Sequence, residues 1–157
     1  MKKYIVLVTF LCGFFAMGQG LLERNVGDFH EIKVYDLIAV NLIKSNDNKV
    51  MIKGPHANDI QLINKDGVLK VRMMLEKKFQ GENTFVEVYY KDLDVIDGNE
   101  GARITANELI SQTSLSLRVQ EGAEIRLGLE VDYLSSKAVT GGIIEVSGMV
   151  DVHDVNM

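Results

Sequence analysis

The chain of 157 residues contains a single cysteine, a single proline and no tryptophan. Cys12 falls inside the leading apolar stretch, so the rest of the chain carries neither a disulfide nor a thiol. Its stability must come from apolar burial and sheet hydrogen bonds. Positive charge is also scarce, with 17 Lys and Arg against 22 Asp and Glu, a net charge of −5. Such a surface suits neither nucleic acid, whose phosphates demand basic side chains, nor anionic lipid. After residue 18 no apolar run is long enough to span a membrane. No window sustains helical spacing. The three histidines, His30, His56 and His153, are far apart and show no zinc-ligand spacing.

The first 18 residues form an object of their own. Lys2 and Lys3 precede an almost wholly apolar stretch from Tyr4 to Phe15, and Ala16 to Gly18 supply small residues before Gln19. This is the pattern of a secretory signal peptide, residues 1–18. The stretch is shorter than the roughly 20 residues of a transmembrane helix. Leu11 before Cys12 stands where a lipoprotein needs a small residue. Cleavage takes two of the 17 basic residues and none of the 22 acidic ones, leaving a net charge of −7 on 139 residues. That length suits one domain.

What the chain does have is a repeat. A Gly-centred phrase begins at Glu100, returns at Glu121 and recurs in altered form at Gly141. Units of about 20 residues are too short to bury a core alone and must stack. Ile104, Ile125 and Ile144 fall in register, followed by Ala106, Leu127 and Val146, with Leu109, Leu129 and Met149 as a third column. Arg103, Thr105, Glu124 and Arg126 alternate with them and face outward. Period-two alternation from Leu115 to Val119 and from Ile125 to Leu127 favours strands. A helical reading would put several Gly inside each helix, at roughly 1 kcal/mol apiece. The expected fold class is therefore all-β: a right-handed parallel β-helix, or β-solenoid, over residues 97–157. An irregular β lobe over residues 21–96 precedes it without a flexible linker. In that lobe Asp66 and Gly67 predict a tight hairpin between Ile60–Ile63 and Val68–Met73. Pro55 ends the strand before it, residues 74–83 form a loop, and Val86, Val88 and Tyr90 share a face from which Phe85 and Tyr89 are turned away.

The ordered set of signal peptide, Arg24 to Val34, Leu37 to Leu42, Val50 to Gly54, Asp66 to Val71, Val86 to Leu93 and the Gly-centred units resembles a known family. It is similar to the putative auto-transporter adhesin head GIN domain, found largely in exported proteins of the Bacteroidetes. The resemblance covers residues 24–157. It implies a right-handed β-helix shaped like the pectin lyases and acyltransferases but without their catalytic residues, and a role in adhesion. Members of the family carry more Gly-centred units than the three found here. The expectation is that further repeats and a polar cap are missing from this chain, or that a partner covers an open end, where self-association through unpaired strand groups is the hazard.

Chemical sites are sparse. Asp92, Asp94 and Asp97 before Gly98 approach a calcium loop, but the third carboxylate is displaced by one residue, which on a strand turns it to the other face. Asp151 and Asp154 flank His153; paired carboxylates about 5–10 Å apart can cleave glycosides, yet no acidic or basic column recurs through the units. Ser135 and Ser136 lack a nucleophile context. No catalytic, cofactor or metal residue is assigned. Tyr89, Tyr90 and Tyr133 are the candidate surface-binding residues, since exposed Tyr stacks on sugars and anchors protein interfaces. The expected function is an exported, non-catalytic binding or adhesion module facing a glycan, an envelope component or a cell-surface protein, in the periplasm, on the outer membrane or outside the cell. The alternatives are a polysaccharide-active enzyme on a β-helix and a purely structural envelope protein.

Overall fold

Short runs in which every second residue is aliphatic, with β-branched Val and Ile frequent, dictate strands. The computed structural model describes residues 21–157. The predicted signal peptide and Cys12 lie outside the described residues. Twelve strands form one mixed sheet. They are β1 (Leu22–Asn25), β2 (Glu31–Val34), β3 (Ala39–Lys44), β4 (Lys49–Lys53), β5 (Ile60–Lys65), β6 (Val68–Met73), β7 (Phe85–Tyr90), β8 (Val95–Gly98), β9 (Arg103–Ala106), β10 (Ile110–Val119), β11 (Glu124–Ala138) and β12 (Ile143–Asn156). Two single 3-10 turns, Ala57–Asp59 and Leu75–Lys77, are the only helical pieces among the described residues. Neither is long or apolar enough to cross a membrane.

The strands stack in ladders. One runs β7-β3-β9-β11-β12 and brings Val86, Val40, Ile104, Ile125 and Ile144 side by side. Another runs β6-β2-β8-β10-β11 and aligns Leu69, Ile32, Ile96, Leu117 and Ser136. Every pairing in both is parallel. Ile125 lies 21 residues after Ile104 and 19 before Ile144, and pairs with both. Ile32, Leu69, Ile96, Ile104, Leu117 and Ile125 are completely buried between the ladders, each adding on the order of 1.5–3 kcal/mol. Because β2 pairs with β8 and β3 with β9, the stacking already begins within residues 31–44.

Two expectations need correction. The sheet is mixed, not the wholly parallel sheet of a β-helix: β1, β4 and β7 pair antiparallel, as do β5 and β6. The hairpin between β5 and β6 turns at Asp66 and Gly67, both at positive φ as anticipated, and a two-residue connection of this kind joins only antiparallel neighbours. The third column is also displaced. Leu129 pairs with Ile110 and Gly148 rather than with Leu109 and Met149. Leu109 is 54% and Met149 65% exposed, because a one-residue slip moves a side chain to the opposite face.

The corners explain the repeated phrase. Four turns, Tyr35–Ile38, Asn99–Ala102, Gln120–Ala123 and Val139–Gly142, each close with an N–H of the fourth residue donating to the carbonyl of the first, at 3.0–3.2 Å. Both central residues of each turn have positive φ: Asp36 and Leu37, Glu100 and Gly101, Glu121 and Gly122, Thr140 and Gly141. That is the type I′ geometry, for which Gly at the second position is preferred. Neighbouring corners are linked by main-chain hydrogen bonds. Leu37 N–H donates to Glu100 O at 3.0 Å, Gly101 N–H to Glu121 O at 2.9 Å and Gly122 N–H to Thr140 O at 3.2 Å.

Candidate functional site

Alternation along a strand sends every second side chain outward, and parallel register lines those side chains up across strands. On β7, β3 and β9 this sets Phe85, Ala39 and Arg103 in one outward row and Glu87, Asn41 and Thr105 in the next. Together with Lys53 of β4 they line a surface groove of about 540 Å³. Phe85 is 58% exposed, an unusual position for a benzyl side chain. Beside it Lys53 Nζ meets Glu87 Oε1 at 2.7 Å. Asn41 Oδ1 is buried and accepts no hydrogen bond from the described residues. The Thr105 hydroxyl donates to Val40 O at 3.4 Å. Arg103 is exposed and makes no ion pair with any described residue.

A flat apolar ring bordered by a cation, a carboxylate, an amide and a hydroxyl can stack on a ligand ring while hydrogen-bonding its edges. The Lys53–Glu87 pair is partly exposed, so it orients polar partners and adds little stability. The groove therefore has the parts for recognition, with Lys53 and Glu87 as its one ion pair.

Of the three predicted tyrosines, one lies near this groove. Tyr89 is half-buried on the outward face of β7, its hydroxyl 3.4 Å from Glu87 Oε2 and its ring 5.0 Å from Lys49 Nζ. It extends the outward series Phe85, Glu87, Tyr89 along the strand. Tyr90 is only 3% exposed and faces the core, which removes it from any surface site. Burial, followed by the nearby charge of Glu108, raises its phenol pKa. Tyr133 is exposed on a different ladder, between Ser114 and Val152. The three are not brought together.

Other titratable residues remain separate. Asp97 faces Lys33 at 3.1 Å and accepts from Asn99, whereas Asp92 lies toward Lys44 at 3.6 Å. No cluster of three or more His, Asp or Glu able to hold a metal occurs among the described residues. His56 Nδ1 lies 3.2 Å from Asp59 Oδ2, and His30 is exposed beside Gly67. The sequence does not disclose one contact: the Ser136 hydroxyl and His153 Nε2 are 2.8 Å apart. Neither Asp151 nor Asp154 hydrogen-bonds to the imidazole among the described residues, so no carboxylate fixes the tautomer as a hydrolytic triad requires.

A second cavity of about 370 Å³ lies where β1 and β5, the two ends of the curled sheet, face each other. Leu22, Val26, Ile52, Ile60 and Leu62 line it, with Arg24, Asn25 and Asn64 at its polar margin. The Phe85 groove has no visible signature in the sequence beyond an aromatic at a strand start; only the register of β3, β7 and β9 assembles it.

Stacked short strands and a curled sheet define an all-β scaffold with an amphipathic groove on its outward face. The chain belongs to the family described as "Putative auto-transporter adhesin, head GIN domain", whose model matches residues 28–157. Its fold is similar to that of a putative adhesin from Bacteroides fragilis NCTC 9343, with a TM-score of 0.75 at 16% identity over 86% of this chain. The chain spans 66% of that structure, just under two thirds. A putative adhesin from Parabacteroides merdae ATCC 43184 has a TM-score of 0.60 at 16% identity, covering 87% of this chain and 76% of its own. A protein described as a putative lipid binding protein, from Parabacteroides distasonis ATCC 8503, has a TM-score of 0.57 at 16% identity, covering 87% and 72%. No curated protein matches the sequence.

Proposed function

We propose that this chain is an exported, non-catalytic binding module of the adhesin type. It holds the Phe85 groove toward a glycan or a protein of a cell surface or envelope, from the periplasm, the outer membrane or the medium. The parallel ladders over residues 97–157 then serve as a short solenoid whose rigidity keeps the groove's side chains in fixed rows. The observation that carries this reading is the exposed Phe85 ring set among Lys53, Glu87, Asn41, Arg103 and Thr105. Family membership supports it.

Because Phe85 is exposed, Phe85→Ala should leave thermal stability within about 0.5 kcal/mol of the parent. It should weaken attachment to cells or immobilised glycans by about tenfold, the effect of losing one aromatic anchor. Attachment undiminished by Phe85→Ala, with Tyr89→Ala also silent, would refute the groove.

A second reading, lipid binding, is favoured by the aliphatic side chains lining the cavity between β1 and β5 and by the description of the Parabacteroides distasonis neighbour. A native mass spectrum of the purified protein showing a fatty acid or phospholipid adduct, removed by Leu62→Glu, would select it.

A further inference from the structure

We propose that the outward face of the β6-β2-β8-β10-β11 ladder binds a linear acidic polysaccharide, laid along the stack across the strands. In one register row this face carries Lys70, Lys33, Asp97, Arg118 and Lys137, one per strand. Adjacent strands are about 4.8 Å apart, so four of five successive steps present a cation. Lys33 is held by Glu31 at 3.0 Å and Asp97 at 3.1 Å. Lys70, Arg118 and Lys137 are exposed and in no ion pair among the described residues.

The other outward faces differ. In the β7-β3-β9-β11-β12 ladder most of the other cations are answered by carboxylates: Lys44 by Asp92 and Arg126 by both Glu124 and Glu145, with Lys53 of the adjoining β4 held by Glu87, which leaves Arg103 as the one other unpaired cation there among the described residues. The concentration of free positive charge on one line is therefore not an average property of a chain whose net charge is −5. A further cation adjoins the row. Arg72, two residues beyond Lys70 on the same side of β6, has a buried Nε that donates to nothing among the described residues. Arg72 is itself only partly buried, so the remainder of its guanidinium adds positive charge at the end of the row. Beside the basic row, Val95, Ser116 and Ser135 form a low shelf in register, two of them with hydroxyls, bounded in the same row by the carboxylates of Glu31, which is tied to Lys33, and Asp154.

Charge complementarity fixes the sign of the occupant, and the single-file arrangement fixes its shape. A membrane surface would need cations spread over a plane, together with apolar side chains to insert. Nucleic acid would need a broader basic surface than one row on an acidic protein. A linear chain of uronate or sulfated sugars meets the row lengthwise, with ring hydroxyls over the serine shelf.

The test uses the full chain and polygalacturonate as probe, with uncharged dextran, anionic phosphatidylglycerol vesicles and single-stranded DNA in parallel. Wild type should bind polygalacturonate and not dextran, with affinity falling as salt rises. Lys70→Glu/Arg118→Glu/Lys137→Glu should lose at least about tenfold, and the corresponding triple Gln variant a smaller part. Lys44→Glu/Lys91→Glu/Arg126→Glu carries the same charge change on other faces and should stay within about twofold. Circular dichroism of each variant checks that the sheet is intact. An equal loss in the second triple variant would overturn the proposal, as would vesicles or DNA binding as tightly as polygalacturonate, or no polygalacturonate binding at all. None of these results bears on attachment through Phe85, which is read separately on the Phe85→Ala variant.

Discussion

Replacing Gly122 by Ala isolates the cost of a left-handed corner. Gly122 has φ of +72°, and a Cβ built on it meets nothing within 4 Å. Steric clash is therefore absent and only the backbone contributes. An L-residue in the left-handed region costs about 1–2 kcal/mol. Alanine also restricts the unfolded chain, which returns about 0.4–1 kcal/mol. The net loss should be about 0.5–1 kcal/mol. Gly122→Asn, which tolerates this region, should come close to the parent. Gly101→Ala should lose more than Gly122→Ala, because its φ of +71° is accompanied by Leu37 Cδ2 only 2.5 Å from the new Cβ. Urea unfolding reads all three variants at an unchanged slope. The midpoint should be highest for Gly122→Asn, lower for Gly122→Ala and lowest for Gly101→Ala. A Gly122→Ala midpoint at or above the parent's would refute the type I′ corner. A loss of about 3 kcal/mol or more would show a clash at a site described as open.

Asp36 is completely buried and accepts from Met73 N–H at 3.0 Å and Phe79 N–H at 3.3 Å, tying the 74–83 loop to the first corner. Asp36→Ala should cost about 2–4 kcal/mol by leaving those donors unsatisfied, Asp36→Asn less; urea midpoints test this, with faster proteolysis inside the loop as an independent sign. Stability should also fall in alkali. Burial raises the Tyr35 and Tyr90 phenols; at Lys33 burial lowers the ammonium, but hydrogen bonds to Glu31 and Asp97 outweigh it and the net shift is upward. Each group holds its proton more tightly when folded. The stability they contribute is complete below their ordinary values near about 10 and declines as pH rises through the raised folded ones. Urea midpoints followed from neutral pH into alkali should decline above about pH 10, and Tyr35→Phe should reduce that decline.

Much of the fold is legible in the residues because local chemistry and global stacking agree at the corners. Glu121 with Gly122 and Glu100 with Gly101 announce the type I′ turns, and the isoleucine column of 104, 125 and 144 is the observed pairing. The first corner is legible at Tyr35 and Asp36, but its kinship with the later ones is hidden because Leu37 occupies the position they give to Gly, with φ of 64°. Without a Gly-centred phrase, β2 and β3 look unrelated to the units they stack on. The third column slips because residues 107–109 interrupt the chain between β9 and β10 while β11 runs on unbroken, so that Ile104 to Ile110 spans six residues against four from Ile125 to Leu129, and no Gly or Pro marks the interruption. As for the site, Phe85 and Tyr89 are correctly predicted to share a side of β7, facing away from Val86 and Val88. Their neighbours Asn41, Lys53, Arg103 and Thr105 come from three other strands, and no spacing in a single sequence brings those together.

The linked corners have a mechanical consequence. β1 and β5 lie at one end of the described stack and β12 at the other. Tension between those ends acts along the main-chain hydrogen bonds rather than across them, so every strand interface carries the same load and the weakest opens first. The hydrogen bonds joining Leu37 to Glu100, Gly101 to Glu121 and Gly122 to Thr140 lie in that line of load. A tether of this design lengthens by peeling single turns at low force instead of rupturing whole at high force. Each turn that opens would add a fixed length of chain while the turns beyond it stay folded.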